Sequence, residues 1–224
     1  MRPGATCVRI ARFPILLRMN LALFDFDGTL TTQDTFAPFL RHAVPPMRRV
    51  LGGAVLSPLL PLYRRGWLTS AVMRRAAARV ALSGLDESRM REAGGRYARE
   101  VVPRMLRPEA MAALRAHRDA GDRVIVVSAA FELYVAPWCA SEGVECLASR
   151  LEVREGRFTG RYLGAQCAGA EKVKRVRAFC DVSGFSTIHA WGDTPEDDAL
   201  LALAARRFYR GEDVSAHVWP PARR

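Results

Sequence analysis

LALFDFDGTLTT, residues 21–32, opens with four apolar or aromatic positions, reaches an Asp, skips one residue to a second Asp and stops at Gly-Thr. Side chains alternate along a strand, so Asp25 and Asp27 fall on one side of it. Two carboxylates that close repel, and either one stays protonated or a cation lies beside them. Gly28 leaves the backbone amide after Asp27 open to close approach. Successive amides in such a turn form an anion-binding nest, while the carboxylates suit a hard cation. Mg²⁺ prefers one or two carboxylates completed by waters and phosphate oxygens. Anion donors beside a cation site point to phosphoryl chemistry.

The 224 residues fit one domain of ordinary size, or one with a substantial insertion, and half of them are hydrophobic. The net charge is +11, carried almost wholly by arginine, since Lys172 and Lys174 are the two lysines. A basic chain suits nucleic acid or an anionic membrane. These arginines are scattered rather than gathered in a tract, however, and GC-rich coding accounts for them, so no specific nucleic acid is expected. Five cysteines (Cys7, Cys139, Cys146, Cys167, Cys180) form no CxxC pair and the four histidines no HExxH, which leaves zinc and redox motifs absent. That usage suits a reducing, cytoplasmic compartment, with each cysteine a small buried hydrophobe. Residues 1–18 carry four arginines and no acid, but Arg12 and Pro14 interrupt their short apolar core. Met19 stands directly before the first strand, so we read residues 1–18 as an extension from an upstream start rather than an export signal.

Residues 21–26 are too apolar to alternate and read as a strand buried on both faces. From Asp34 to about Pro103 the pattern is helical. A helix follows from Pro108 to Gly121, and DRVIVVSAA (122–130) is a second buried strand ending near Ser128. Residues 132–142 read as a helix, 144–148 as a short strand, and 151–164 as a hairpin turning at Glu155-Gly156. A helix over 169–181, a strand over 186–194, a helix opened by Pro195 and a strand over 206–210 complete the pattern. Strands separated by helices mean an α/β fold with a parallel sheet and right-handed crossovers. Ligands bind beyond the carboxyl ends of such strands. Three of these strands end in Asp25/Asp27, Ser128 and Asp193, and that convergence makes a candidate site.

These residues resemble the haloacid dehalogenase superfamily from Leu21 to about Val218. The likeness rests on DFDGTL (25–30), on VIVVSAA (124–130) as a strand ending in Ser, on the lone lysine of CAGAEKV (167–173), and on the acidic GDTPED (192–197). VSAAFELYVAPW and LEVREGRFTGRYLGAQCAGAEKV are similar to bacterial members of the phosphoserine-phosphatase-like branch, subclass IB. The resemblance implies a Rossmann-like core over 19–33 and 104–224, with a helical cap over 34–103 inserted after the first strand. It implies Asp25 as nucleophile forming an aspartyl-phosphate and Asp27 as the acid and base serving the leaving group and the water. It further implies that Asp25, the Asp27 carbonyl and Asp193 hold Mg²⁺. Ser128, Ala129 and the amides of Gly28 and Thr29 would hold phosphoryl oxygens, Lys172 would neutralise charge, and Asp197 would orient Lys172 or a metal-bound water. Asp198 is the weaker candidate of that acidic pair.

The implied substrate is a phosphomonoester. Phosphoserine-specific relatives carry a Glu at the position of Asp34, where it meets the substrate ammonium; the side chain here is one methylene shorter. VLGGAVLSPLLPLY (50–63) has no charge and is flanked by Arg48, Arg49, Arg64 and Arg65. It is too short and proline-interrupted for a transmembrane helix. A buried cap helix is the default reading. The alternative is peripheral contact of residues 48–65 with an anionic membrane, at the inner face of the cytoplasmic membrane. A comparable stretch in bacterial phosphatidylglycerophosphatase members of the branch favours a lipid phosphate. A small-metabolite phosphatase and a phosphotransferase on the same scaffold are the alternatives, and a non-catalytic basic binding protein is disfavoured by the intact motifs.

Overall fold

The apolar run at residue 21 forms β1 (Leu21–Phe24), every residue of it buried. Its side chains alternate between two cores: Ala22 and Phe24 enter one cluster, Leu21 and Leu23 the other. A strand covered on both faces needs no polar side, which is why the sequence shows no alternation there. The computed structural model describes residues 19–220; the segment 1–18, on which the upstream-start reading falls, and residues 221–224 lie outside the described residues.

After β1 and a tight turn over Phe26–Leu30, the chain runs through α1 (Phe36–Ala43), α2 (Pro46–Leu56), α3 (Leu59–Arg64), α4 (Ser70–Leu82) and α5 (Glu87–Glu100). The succeeding elements are α6 (Pro108–Asp119), β2 (Arg123–Phe131), α7 (Glu132–Glu142), β3 (Glu145–Ser149), the hairpin β4 (Leu151–Arg154) and β5 (Arg157–Tyr162), and α8 (Ala170–Phe179). β6 (Ile188–Gly192), α9 (Asp198–Leu203), β7 (Arg206–Tyr209) and β8 (Glu212–Asp213) follow. The six-stranded sheet has the order β3-β2-β1-β6-β7-β8, parallel except for the pairing of β7 with β8. β1 therefore lies between β2 and β6, and the ends of these three strands meet. The hairpin forms its own two-stranded sheet, and Gly84 and Leu85, beyond α4, bond its Phe158 backbone.

Two features differ from the expectations. The stretch over 50–63 is not a buried helix: among its residues only Gly52 is buried, and Val50, Leu51, Val55, Leu60 and Tyr63 are exposed. Cys139 and Cys167 are buried as expected, but Cys146 and Cys180 are half-buried, and Cys7 lies outside the described residues. No described helix is long and apolar enough to cross a membrane.

The start of β1 is clasped by Asp122, which accepts from the Asn20 amide at 3.1 Å and pairs with His117 Nδ1 at 2.6 Å. Burial works against the Asp122 charge, but the bonds from His117 and Asn20 together outweigh it and hold the carboxyl below its ordinary value. A depressed native value contributes stability above the unfolded value, lost as pH falls through the native one. Asp122→Ala should therefore cost about 1.5–3 kcal/mol at pH 7, and urea unfolding should show this difference shrinking below about pH 4.

Candidate active site

Asp25 leaves the end of β1 with its amide bonded to the Trp191 carbonyl of β6 at 3.0 Å. It is buried, and its carboxylate meets Lys172 Nζ, which also bonds Asp197. Lys172 itself is 1% exposed. Burial opposes its charge, but Asp25 and Asp197 outweigh that and hold the ammonium protonated, above its ordinary value. Burial followed by repulsion from Asp197 pushes Asp25 upward, against the pull of Lys172. Asp197 moves the other way: Lys172 and the amides of Thr194 and Asp193 overcome its burial and lower it. Those amides reach Asp197 Oδ2 at 3.0 and 3.1 Å, in a reciprocal cap formed with Thr194.

Asp27 turns its carboxylate elsewhere. Its Oδ1 accepts from the Thr35 amide at 2.9 Å and from the Thr35 hydroxyl, which also meets Tyr134 Oη at 2.9 Å. Burial and the nearby Asp34 charge push Asp27 up to about 7, with the Thr35 bonds pulling against them. The two acids of the opening motif thus have different partners, which relieves the repulsion their spacing suggests.

The turn between these residues is built on Gly28, whose φ of 82° suits glycine. A Cβ there would lie 2.2 Å from Asp193 Oδ2. The Gly28 amide donates to Thr31 Oγ1 at 3.2 Å, so an incoming anion competes with Thr31 for it. Gly28→Ala should lose about 1–3 kcal/mol, since it combines a left-handed backbone with displacement of Asp193. Chemical denaturation would measure that loss, and unchanged stability would mean the turn has room the packing denies.

Asp25, Asp27, Gly28, Asp34, Ser128, Ala129, Lys172, Asp193 and Asp197 line one cleft of about 310 Å³. Thr29 is not in the lining; it is buried and its hydroxyl donates to Asp193 Oδ1 at 3.2 Å. Ser128 sits near the end of β2, 1% exposed, where its Oγ accepts from the Ala130 amide at 3.0 Å. Asp34 accepts from the Phe36 amide at 2.8 Å and lies 3.9 Å from Arg74. Asp198 is outside the cleft at the head of α9. Six residues that sequence reading did not single out also line the cleft: Thr32, Gln33, Arg74, Arg107, Thr194 and Glu196. Arg74 pairs with Glu196 at 3.2 Å, and Arg107 Nε donates to the Gly28 and Thr31 carbonyls at 3.2 Å each.

One oxygen each from Asp25, Asp193 and Asp197 lies within 4.8 Å of the others. Asp193 is raised by burial and then by Asp197, as Asp25 is. One buried ammonium thus faces three converging carboxylates, and a hard divalent cation with oxygen preference fits the remaining negative charge. The Asp27 carboxylate, held by Thr35, is not in this cluster.

The haloacid dehalogenase-like hydrolase family model matches residues 22–202. The chain is 35% identical over 196 residues to protein CicA of Caulobacter vibrioides, covering 85% of each. It is 26% identical over 231 residues to a probable phosphatase of Mycobacterium tuberculosis, covering 97% of this chain and 77% of that one. Among solved structures, a protein of unknown function from Bordetella pertussis Tohama I superposes with a TM-score of 0.72 at 25% identity, covering 86% of this chain and 90% of the other. A substrate-bound phosphoserine phosphatase shares the fold, with a TM-score of 0.61 at 20% identity and 86% of each chain covered.

Proposed function

The chain belongs to the haloacid dehalogenase-like hydrolase family, and from that premise we propose that it is a Mg²⁺-dependent phosphomonoester phosphatase working through an aspartyl-phosphate on Asp25. The observation that carries this reading is the pairing of buried Asp25 with buried Lys172 inside a cleft that also holds Ser128 and Asp27. The probable-phosphatase description of the Mycobacterium relative supports it.

In this mechanism a carboxylate oxygen of Asp25 attacks phosphorus, and the bond from phosphorus to the ester oxygen breaks. Asp27, pushed up to about 7, can hold a proton near neutral pH and gives it to the departing alkoxide. The ionised Asp27 then takes a proton from water as that water attacks phosphorus. The phosphorus bond to Asp25 breaks, inorganic phosphate leaves and the Asp25 carboxylate is restored. Lys172 offsets charge on Asp25 and the transferring group, while Ser128 and the amides of Gly28 and Ala129 donate to the phosphoryl oxygens. Asp197 holds Lys172 in place through their buried ion pair. Asp25, Asp193 and the Asp27 carbonyl would hold Mg²⁺, which supplies positive charge to a phosphate dianion entering an acidic site.

We assign residues 34–103 the part of a cap over a core of residues 19–33 and 104–224, because Asp34 and Arg74 contribute to the cleft wall. Asp34 spends one oxygen on the Phe36 amide and faces Arg74 with the other. An acid so engaged is poorly placed to receive a substrate ammonium, which counts against phosphoserine, and the exposed apolar stretch over 50–63 with its flanking arginines favours a lipid phosphomonoester such as phosphatidylglycerophosphate. The test is phosphate release from that lipid in mixed micelles, from phosphoserine and from p-nitrophenyl phosphate, with Mg²⁺ or a chelator. The expected result is Mg²⁺-dependent release with the lipid preferred. Release from none of them would overturn the phosphatase reading, and a preference for phosphoserine would overturn the lipid one.

A further inference from the structure

The stretch that the fold leaves uncovered is α2, α3 and the residues leading to α4. On α2, Met47, Leu51 and Val55 recur every four residues with Val50 beside them, and all are exposed. Arg48, Gly52 and Leu56 occupy the other face, buried or half-buried. A helix on a globular core turns its apolar stripe inward; α2 does the reverse. Two contacts hold it that way. A Cβ at Gly52 would come 3.1 Å from Val80 Cγ1 of α4, so the backbones approach closely, and Arg48 donates to the Ser83 carbonyl. Beyond α3, Trp67 is 72% exposed with the Arg65 guanidinium over its ring at 5.9 Å.

Charge says what covers this face. From Thr35 to Leu85 the sequence has eight arginines (41, 48, 49, 64, 65, 74, 75 and 79) and no Asp or Glu. Arg64 and Arg65, at the end of α3, are exposed, and so is Arg49, on the side of α2 away from the stripe, where it donates to the Arg41 carbonyl. A second copy docking by two-fold symmetry would set arginine against arginine. A nucleic acid would neutralise the arginines and leave Val50, Leu51 and Val55 in water. An anionic lipid surface satisfies both, taking the apolar side chains to the acyl boundary and the guanidiniums to the headgroups. We infer that α2, α3 and Trp67 form a docking surface for an anionic bilayer.

Docking there sets the cleft close to the lipid. Trp67 stands just before α4, whose Ser70 and Arg74 both bond Glu196 in the cleft wall. For that consequence alone, delivery of a membrane-borne phosphomonoester to the cleft, the inference rests on the phosphatase reading.

The test is co-sedimentation of the full chain with vesicles of phosphatidylcholine alone or mixed with phosphatidylglycerol, together with melting temperature and turnover of soluble p-nitrophenyl phosphate. Wild type should bind the anionic vesicles at least about tenfold more tightly than the neutral ones. Leu51→Asp plus Val55→Asp should lose about tenfold or more of that binding, with melting and soluble turnover unchanged. Should that variant melt early, Arg64→Gln plus Arg65→Gln decides, and it should remove most of the preference for anionic vesicles. Wild type that ignores anionic vesicles would overturn the inference, as would variants that bind like wild type. So would a dimer in ultracentrifugation that the Asp variant dissociates, since a second copy would then own the face. Failed vesicle binding with intact soluble turnover would count against docking alone, and vesicle binding by a protein that cleaves no ester would count against the phosphatase reading alone.

Discussion

Asp25→Asn should lower phosphate release by on the order of 10⁵-fold or more while the protein stays folded. The amide oxygen is a far poorer nucleophile than the carboxylate, and the mechanism gives Asp27, Asp193 and Asp197 other tasks in the cleft. The fold should tolerate the change for a specific electrostatic reason. Burial and Asp197 already disfavour the Asp25 charge, and Lys172 keeps its second partner, Asp197, when the first becomes neutral. The measurement is phosphate release on purified protein beside a thermal melt. Turnover within tenfold of wild type would remove Asp25 from the chemistry.

Lys172→Ala should lower the rate by about 10²–10³-fold, the usual loss when a preorganised charge partner leaves a site of this kind. It should also destabilise the protein by about 3–5 kcal/mol, because Asp25 and Asp197 would remain buried without their cation. The pH dependence has a definite sign. Without Lys172, burial and mutual repulsion push Asp25 further above its unfolded value. A carboxyl raised in the native state loses stability as pH climbs from the ordinary carboxylate range toward the raised value. Urea unfolding should therefore show the gap between variant and wild type widening from pH 5 to pH 8. A rate loss under tenfold, or a gap independent of pH, would mean that Lys172 is an ordinary buried lysine.

The residues that define the sheet were readable because one physical constraint acts on each of them. LALF is apolar throughout since both its faces are covered, α7 (Glu132–Glu142) occupies the residues its helical pattern indicates, and the hairpin turns at Glu155-Gly156. Asp25, Ser128 and Asp193 lie at or just beyond strand ends and Lys172 in the first turn of α8, so their convergence follows from the topology. Arg74, Arg107 and Glu196 were not readable. Arg74 is one arginine among several on α4, and only the packing of that helix against the loop after β6 separates it from Arg75 and Arg79. Thr35 carries no motif either, and it takes the geometry to reveal that its amide and hydroxyl hold Asp27. The outward face of α2 was hidden for a related reason. An apolar period shows that a helix has a stripe but not which way the stripe turns, and here Gly52 against Val80 sets the direction.

The most direct measurement of the proposed chemistry is to quench turnover of p-nitrophenyl phosphate with borohydride and read the modified site by peptide mass. Borohydride reduces an acyl phosphate and spares a free carboxylate, so the peptide holding residues 21–32 should carry the reduction at Asp25, only when substrate is present. Rapid phosphate release with Asp25 unmodified, or with the reduction at another carboxylate, would contradict an aspartyl-phosphate on Asp25.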